Sequence, residues 1–119
     1  FGFGGPCFPR DNRAFASYAS KVGIDHNIGS VTDAFNEDHA TFLKEFFIRK
    51  NKKKLPFLFK YLAYKPDTDI LTESQQYRLC MDLLNEGYIV YSSDFSLKEK
   101  SDSRIIFEEP TQEVFEIKL

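Results

Sequence analysis

Hydrophobic and polar positions divide the chain into an irregular start, a helical middle and a strand-rich end. The opening FGFGGPCFPRD, residues 1–11, holds Gly or Pro at too many positions for a regular element and predicts an extended arm. Phe1, Phe3, Cys7 and Phe8 make that arm apolar, so it is expected to lie against a surface, its own or a partner's. From Asn12, the spacing of Phe15, Tyr18, Ala19 and Val22 predicts a short helix stopped at Gly23, followed by a loop over 24–31. Thr32 or Asn36 then caps a longer helix carrying Phe35, Phe42, Leu43, Phe46 and Phe47. Pro56 suits the first turn of another helix, with Phe57, Leu58, Tyr61 and Leu62 on its buried face and Pro66 just past its end. KPDTDIL is a turn. Thr72 with Gln75 forms a capping box for a further helix, which Gly87 closes. Beyond Gly87 the period shortens: YIVYSSDF and SRIIFEE read as strands around the polar SLKEKSD. EVFEIKL alternates, with Phe115, Ile117 and Leu119 on one face.

These elements predict an α+β fold, three or four helices packed on a small antiparallel sheet, winged-helix-like, over residues 12–119 as one domain. The 119 residues suffice for one domain, and the 42% hydrophobic content, with 13 Phe and 6 Tyr, supplies an aromatic core. No apolar run reaches the roughly 18–20 residues of a membrane span. Cys7 and Cys80 have no CxxC spacing, and two free thiols in a reducing, intracellular compartment are the favoured reading. The chain starts at Phe1 without Met, which fits either a processed protein or one shortened by design.

The net charge of −2 hides a polarity. Residues 49–65 carry seven cations and no anion, whereas residues 66–119 carry five cations and twelve anions. Arg49, Lys50, Lys52, Lys53 and Lys54 form the densest run. They read either as a solvated connector at a helix end, where the macrodipole favours cations, or as a docking patch for an anionic membrane surface or an acidic protein face.

Residues 73–109, ESQQYRLCMDLLNEGYIVYSSDFSLKEKSDSRIIFEE, resemble the second half of a DEP domain. Leu83, Leu84, Gly87, Tyr88, Ile89, Phe95 and Phe107 carry the likeness. It covers about a third of the chain, and no Phe-x-Gly-Ser type turn stands in the first half. The resemblance implies a non-enzymatic module that docks on membranes or proteins.

DNA binding in the usual winged-helix geometry is disfavoured, because the segment 72–86 sets Glu73, Asp82 and Glu86 against Arg78 alone. GFGGP lacks the preceding strand and directly following helix of a phosphate-binding glycine loop. His26 and His39 have no metal-ligand partners at local spacing. Asp67, Glu116 and Lys118 share the residue types of a metal-dependent nuclease set, yet turn and strand explain them equally well. The expectation is therefore a non-catalytic docking module or small subunit of a larger assembly, with no enzyme activity, cofactor or metal. It would contact other protein subunits through Phe1, Phe3 and Phe8 of the arm and Arg49, Lys50, Lys52, Lys53 and Lys54. A nucleic-acid-binding winged-helix protein is the alternative.

Overall fold

A computed structural model describes residues 1–118; Leu119, placed above on one face of the last strand, lies outside the described residues. Helix α1 spans Phe8–Lys21 and α2 spans Ile28–Lys50; strand β1 is Phe57–Phe59, α3 is Gln75–Asn85, β2 is Val90–Ser92 and β3 is Phe115–Ile117. A single 3-10 turn, Phe95–Leu97, follows β2.

Local chemistry sets the helix ends. Pro9 stands in the first turn of α1, where a missing N–H costs nothing. The Asn27 side chain accepts from the Ser30 N–H at 3.0 Å and caps α2. Ser74 Oγ accepts from the Tyr77 N–H at 3.2 Å, capping α3, and donates to the Leu62 carbonyl at 2.6 Å. Both α1 and α3 end in a Schellman motif. The Ile24 N–H reaches Ala19 O at 2.9 Å and the Gly23 N–H reaches Ser20 O at 3.0 Å. Tyr88 to Leu83 and Gly87 to Leu84 repeat the pattern, both at 3.0 Å. Gly23 and Gly87 take the positive φ, 84° and 88°, that this closure requires.

The sheet order is β2-β1-β3, and both pairings are parallel. Phe57 stands opposite Val90 on one side and Phe115 on the other. The β1-α3-β2 segment is thus a strand–helix–strand crossover, the connection parallel strands need. The expected antiparallel winged-helix sheet is replaced by a small parallel α/β sheet. PFLFKYLAY does not form the expected helix: Phe57 and Phe59 are buried on the central strand, with Leu58 half-buried between them. SRIIFEE contributes one parallel bridge, Tyr91 to Ile106, in place of a wing strand. The helices also start earlier than the periodicity indicated, α1 at Phe8 and α2 at Ile28.

Phe57 lies edge-on to Tyr88 and Phe115, with centroids 5.0 and 5.5 Å away, and Phe115 meets Phe47 of α2 at 6.4 Å. Leu62, Leu79, Cys80, Leu83 and Leu97 complete this core.

Candidate functional site

The glycine-rich arm is fixed in place. Phe1 packs on the core. The Phe3 N–H donates to Asn36 Oδ1 at 3.0 Å and Asn36 Nδ2 donates to Phe3 O at 3.0 Å, closing a two-bond ring with the middle of α2. The Gly5 N–H donates to Glu73 O at 3.3 Å. Side chains have no room here: a Cβ at Gly2 would stand 1.9 Å from Asn36 Oδ1, and one at Gly4 2.2 Å from Glu73 O. Gly5, at φ 87°, would press a Cβ to 2.6 Å from the Tyr64 ring.

The arm delivers Cys7 to the start of α1. Its carbonyl already accepts the Asp11 N–H at 2.9 Å, while its side chain is exposed. A helix N-terminus favours negative charge, and so does a neighbouring cation. The Arg10 guanidinium, three residues after Cys7, is raised above its ordinary value by its hydrogen bond and charge contact with Asp11, with a smaller contribution from Cys7. Cys80 is the opposite case. Burial pushes its thiol up to about 12, and it faces the core as an apolar group. Both cysteines are free.

Ligands of parallel sheets bind beyond the carboxyl ends of the strands. There, Phe59 at the end of β1, Lys60 and Tyr61 just past it, and Glu116, Ile117 and Lys118 at the end of β3 line a cleft of about 400 Å³ that Phe1 also borders; Lys118 pairs with Glu116 at 3.0 Å. The arm therefore runs from this cleft to Cys7. Arg49–Lys54 lies at the other end, before β1, where Lys54 borders a cleft of about 510 Å³. Lys53 pairs with Glu113 at 2.9 Å and Lys50 sits 5.5 Å from the centre of the Phe46 ring, so part of the basic run is engaged within the chain. The sequence-predicted residues are thus split. Phe1 borders the carboxyl-end cleft, Phe3 meets Phe8 edge-on at 4.7 Å, and the five cations are remote from both.

Arg13 ties the region together, donating to Glu73 Oε1 at 2.6 Å and to Asp33 at 3.1 Å. Those bonds, Glu73 first, raise its guanidinium above the ordinary value. Glu73 adopts a positive φ of 53°, a conformation uncommon outside glycine.

No family model matches the chain. It is similar to UDP-glucose 6-dehydrogenase of Pseudomonas aeruginosa, 34% identical over 97 residues, covering 78% of this chain and 21% of that protein. It is also similar to GDP-mannose 6-dehydrogenase of the same organism, 30% identical over 88 residues, covering 74% and 20%. Among solved structures it resembles the UDP-glucose dehydrogenase of the hyperthermophilic archaeon Pyrobaculum islandicum, with a TM-score of 0.78 and 26% identity over 92% of this chain and 27% of that one. The chain spans 11–21% of the length of the curated relatives it matches.

These likenesses overturn the DEP resemblance and, with it, the docking-module, adaptor and nucleic-acid readings and the expectation of no enzymatic role. LLNEGYI is the end of a crossover helix entering a parallel strand, and the leucines and Gly-Tyr that suggested a wing serve that join instead. Among the described residues no helix is long and apolar enough to cross a membrane.

A dehydrogenase implies a dinucleotide hydride acceptor, and the described residues do not fit one. The glycine fingerprint for a dinucleotide joins a strand directly to a helix. Gly2, Gly4 and Gly5 follow no strand, and neither β1 nor β2 leads through glycines into a helix.

The sequence reading set Cys7 aside as a nucleophile and did not place it at a helix N-terminus. Its signal was present: a glycine run ending in Cys-Phe-Pro, in which Pro9 marks a helix start and puts the cysteine at its N-terminus.

Proposed function

We propose that this chain is the thiol-bearing portion of a sugar-nucleotide dehydrogenase, with Cys7 as its nucleophile. One observation carries the reading: an exposed thiol stands at a helix N-terminus on an arm locked to α2 and to the Glu73 turn, and that arm starts at the cleft beyond the carboxyl ends of β1 and β3. The likeness to two 6-dehydrogenases of nucleotide sugars supplies the substrate class.

Dehydrogenation at carbon 6 of a hexose turns its primary alcohol into a carbonyl, the carbon's hydride passing to a nicotinamide dinucleotide held by another part of the dehydrogenase and the hydroxyl proton to a base or water. The Cys7 sulfur, as thiolate, adds to that carbon; a C–S bond forms, the C=O π pair moves to oxygen, and the oxygen takes a proton. The product is a hemithioacetal that tethers the intermediate. The α1 N-terminus and Arg10 favour the negative charge the thiolate carries. Lys60, beside Tyr61 and Phe59, offers a cation and ring faces to a nucleoside diphosphate in the cleft, and Lys118, paired there with Glu116 at 3.0 Å, would join it on releasing that carboxylate.

The test is protection of the thiol. Saturating UDP-glucose or GDP-mannose is expected to slow alkylation of Cys7 by iodoacetamide about tenfold or more, with Cys80 unreactive throughout. Equal alkylation rates with and without both sugar nucleotides, and no heat of binding by calorimetry, would overturn the reading.

A further inference from the structure

We infer that Asn36, in the middle of α2, is the positioning residue for the Cys7 thiol; this rests on the nucleophile reading above and deepens it. Asn36 is 3% exposed. An amide buried in a helix interior brings weak helix propensity and needs full hydrogen bonding to be tolerated. Here both of its functional groups go to the arm: Oδ1 to the Phe3 N–H and Nδ2 to the Phe3 carbonyl, each at 3.0 Å and 33 residues apart in sequence. It binds the arm as a neighbouring strand would, satisfying a donor and an acceptor together.

Three further contacts extend this clamp. Asp33, one turn before Asn36 on α2, accepts from Arg13 of α1 at 3.1 Å. Arg13 also holds Glu73, whose backbone carbonyl accepts from Gly5. The arm is therefore pinned at Phe3 and at Gly5, two residues before Cys7, by groups that all trace back to α2 or to the Glu73 turn. Glycines at 2, 4 and 5 let it lie this close, and a methyl group at position 2 would collide with Asn36 Oδ1 itself. The thiol's place is thus set by an amide on α2 that grips the arm at Phe3, four residues before Cys7. A displacement of about 1 Å at a reacting group can cost about a hundredfold in rate.

The clamp can be opened from either side, by Asn36→Ala or by Gly2→Ala. A trifluoromethyl tag placed on Cys7, the exposed thiol, reports its surroundings by fluorine NMR. Both variants are expected to move the tag resonance towards that of the tag on a free thiol, and the double variant to move it no further. In the untagged full-length dehydrogenase, kcat for the sugar nucleotide is expected to fall about tenfold or more, with KM within about twofold, while circular dichroism shows the helices intact. An unmoved resonance in both variants overturns the inference, whatever the turnover does. So does a moved resonance with kcat unchanged when Cys7→Ser is inactive. An active Cys7→Ser instead removes the nucleophile reading and leaves the resonance alone to decide whether Asn36 places the thiol.

Discussion

The strand-bearing part of the chain buries Phe57, Phe59, Leu62, Val90 and Leu97 almost completely, whereas the α1–α2 hairpin leaves Phe15, Tyr18, Val31, Phe35 and Phe42 more than half exposed. Adjacent residues make the contrast sharpest: Phe35 is 69% exposed and Asn36 3%. In the sheet, apolar burial decides which side chains point inward, and the polar groups that go in are few. In the hairpin the inward positions include Asn27, Asn36 and Asn51, each hydrogen-bonded to backbone, and large aromatics stand outside. Along α2, Phe35, His39, Phe42 and Phe46 stack in sequence at centroid spacings of 6.3, 6.1 and 6.0 Å, running from exposed Phe35 to Phe46, which packs against the core. One part of the molecule is held by its core. The other is ordered by specific hydrogen bonds around the arm that carries Cys7.

Substitutions can break this contrast. The largest effect is expected from Phe57→Ala, which empties the centre of the sheet and should cost about 3–5 kcal/mol in urea unfolding. A loss near 1 kcal/mol would mean the sheet is not the core. Next comes alkaline pH. The Cys80 thiol, pushed up to about 12 when folded from the 9.0 of an ordinary thiol, keeps its proton in the folded state and loses it in the unfolded one between those values. Its contribution is therefore fully present below about 9 and is lost as pH rises towards about 12. Cys80→Ala should lose less stability than the parent over that range, and equal slopes would contradict the burial.

Asn51→Ala removes the two bonds, 2.9 and 2.7 Å, that close the turn onto Leu55, and should cost about 1–3 kcal/mol. The smallest effects belong to the outer surfaces. Phe35→Ala should lie within about 0.5 kcal/mol, as should Lys53→Ala, whose bridge to Glu113 is solvent-exposed on both sides. A Phe35→Ala cost comparable to that of Phe57→Ala would erase the distinction between the two parts.

The third helix and its closing glycine were legible in the sequence because apolar stripe and C′ glycine agree within one local window, although the cap is Ser74 and not the expected Thr72. The strand character of EVFEIKL was legible for the same reason, since Phe115 and Ile117 alternate with Glu116. PFLFKYLAY was misread because a short, wholly apolar run fits a buried strand as well as a helix face. Strand direction was not written locally at all. What carried it was the order strand, 11-residue helix, strand, which becomes visible once Phe57–Phe59 is taken as a strand. Asn36 was read as a helix cap because buried mid-helix asparagines are uncommon, and its partner Phe3 is 33 residues away. The arm was read as irregular over residues 1–11, but α1 already begins at Phe8, so only residues 1–7 stand outside a regular element. Its glycines were weighed as a phosphate loop, although their use is close backbone packing that brings a cysteine to a helix end.

The central claim is that Cys7 acts on a sugar nucleotide, and turnover tests it most directly. The full-length dehydrogenase of which this chain is the proposed thiol-bearing portion would be given UDP-glucose or GDP-mannose with a nicotinamide dinucleotide, and the product oxidised at carbon 6 would be followed by mass spectrometry, beside Cys7→Ser. The account predicts oxidation of at least one of the two by the parent and a loss of about a thousandfold or more in the variant. Equal turnover by Cys7→Ser, or no oxidation of either sugar nucleotide by the folded parent, would contradict it.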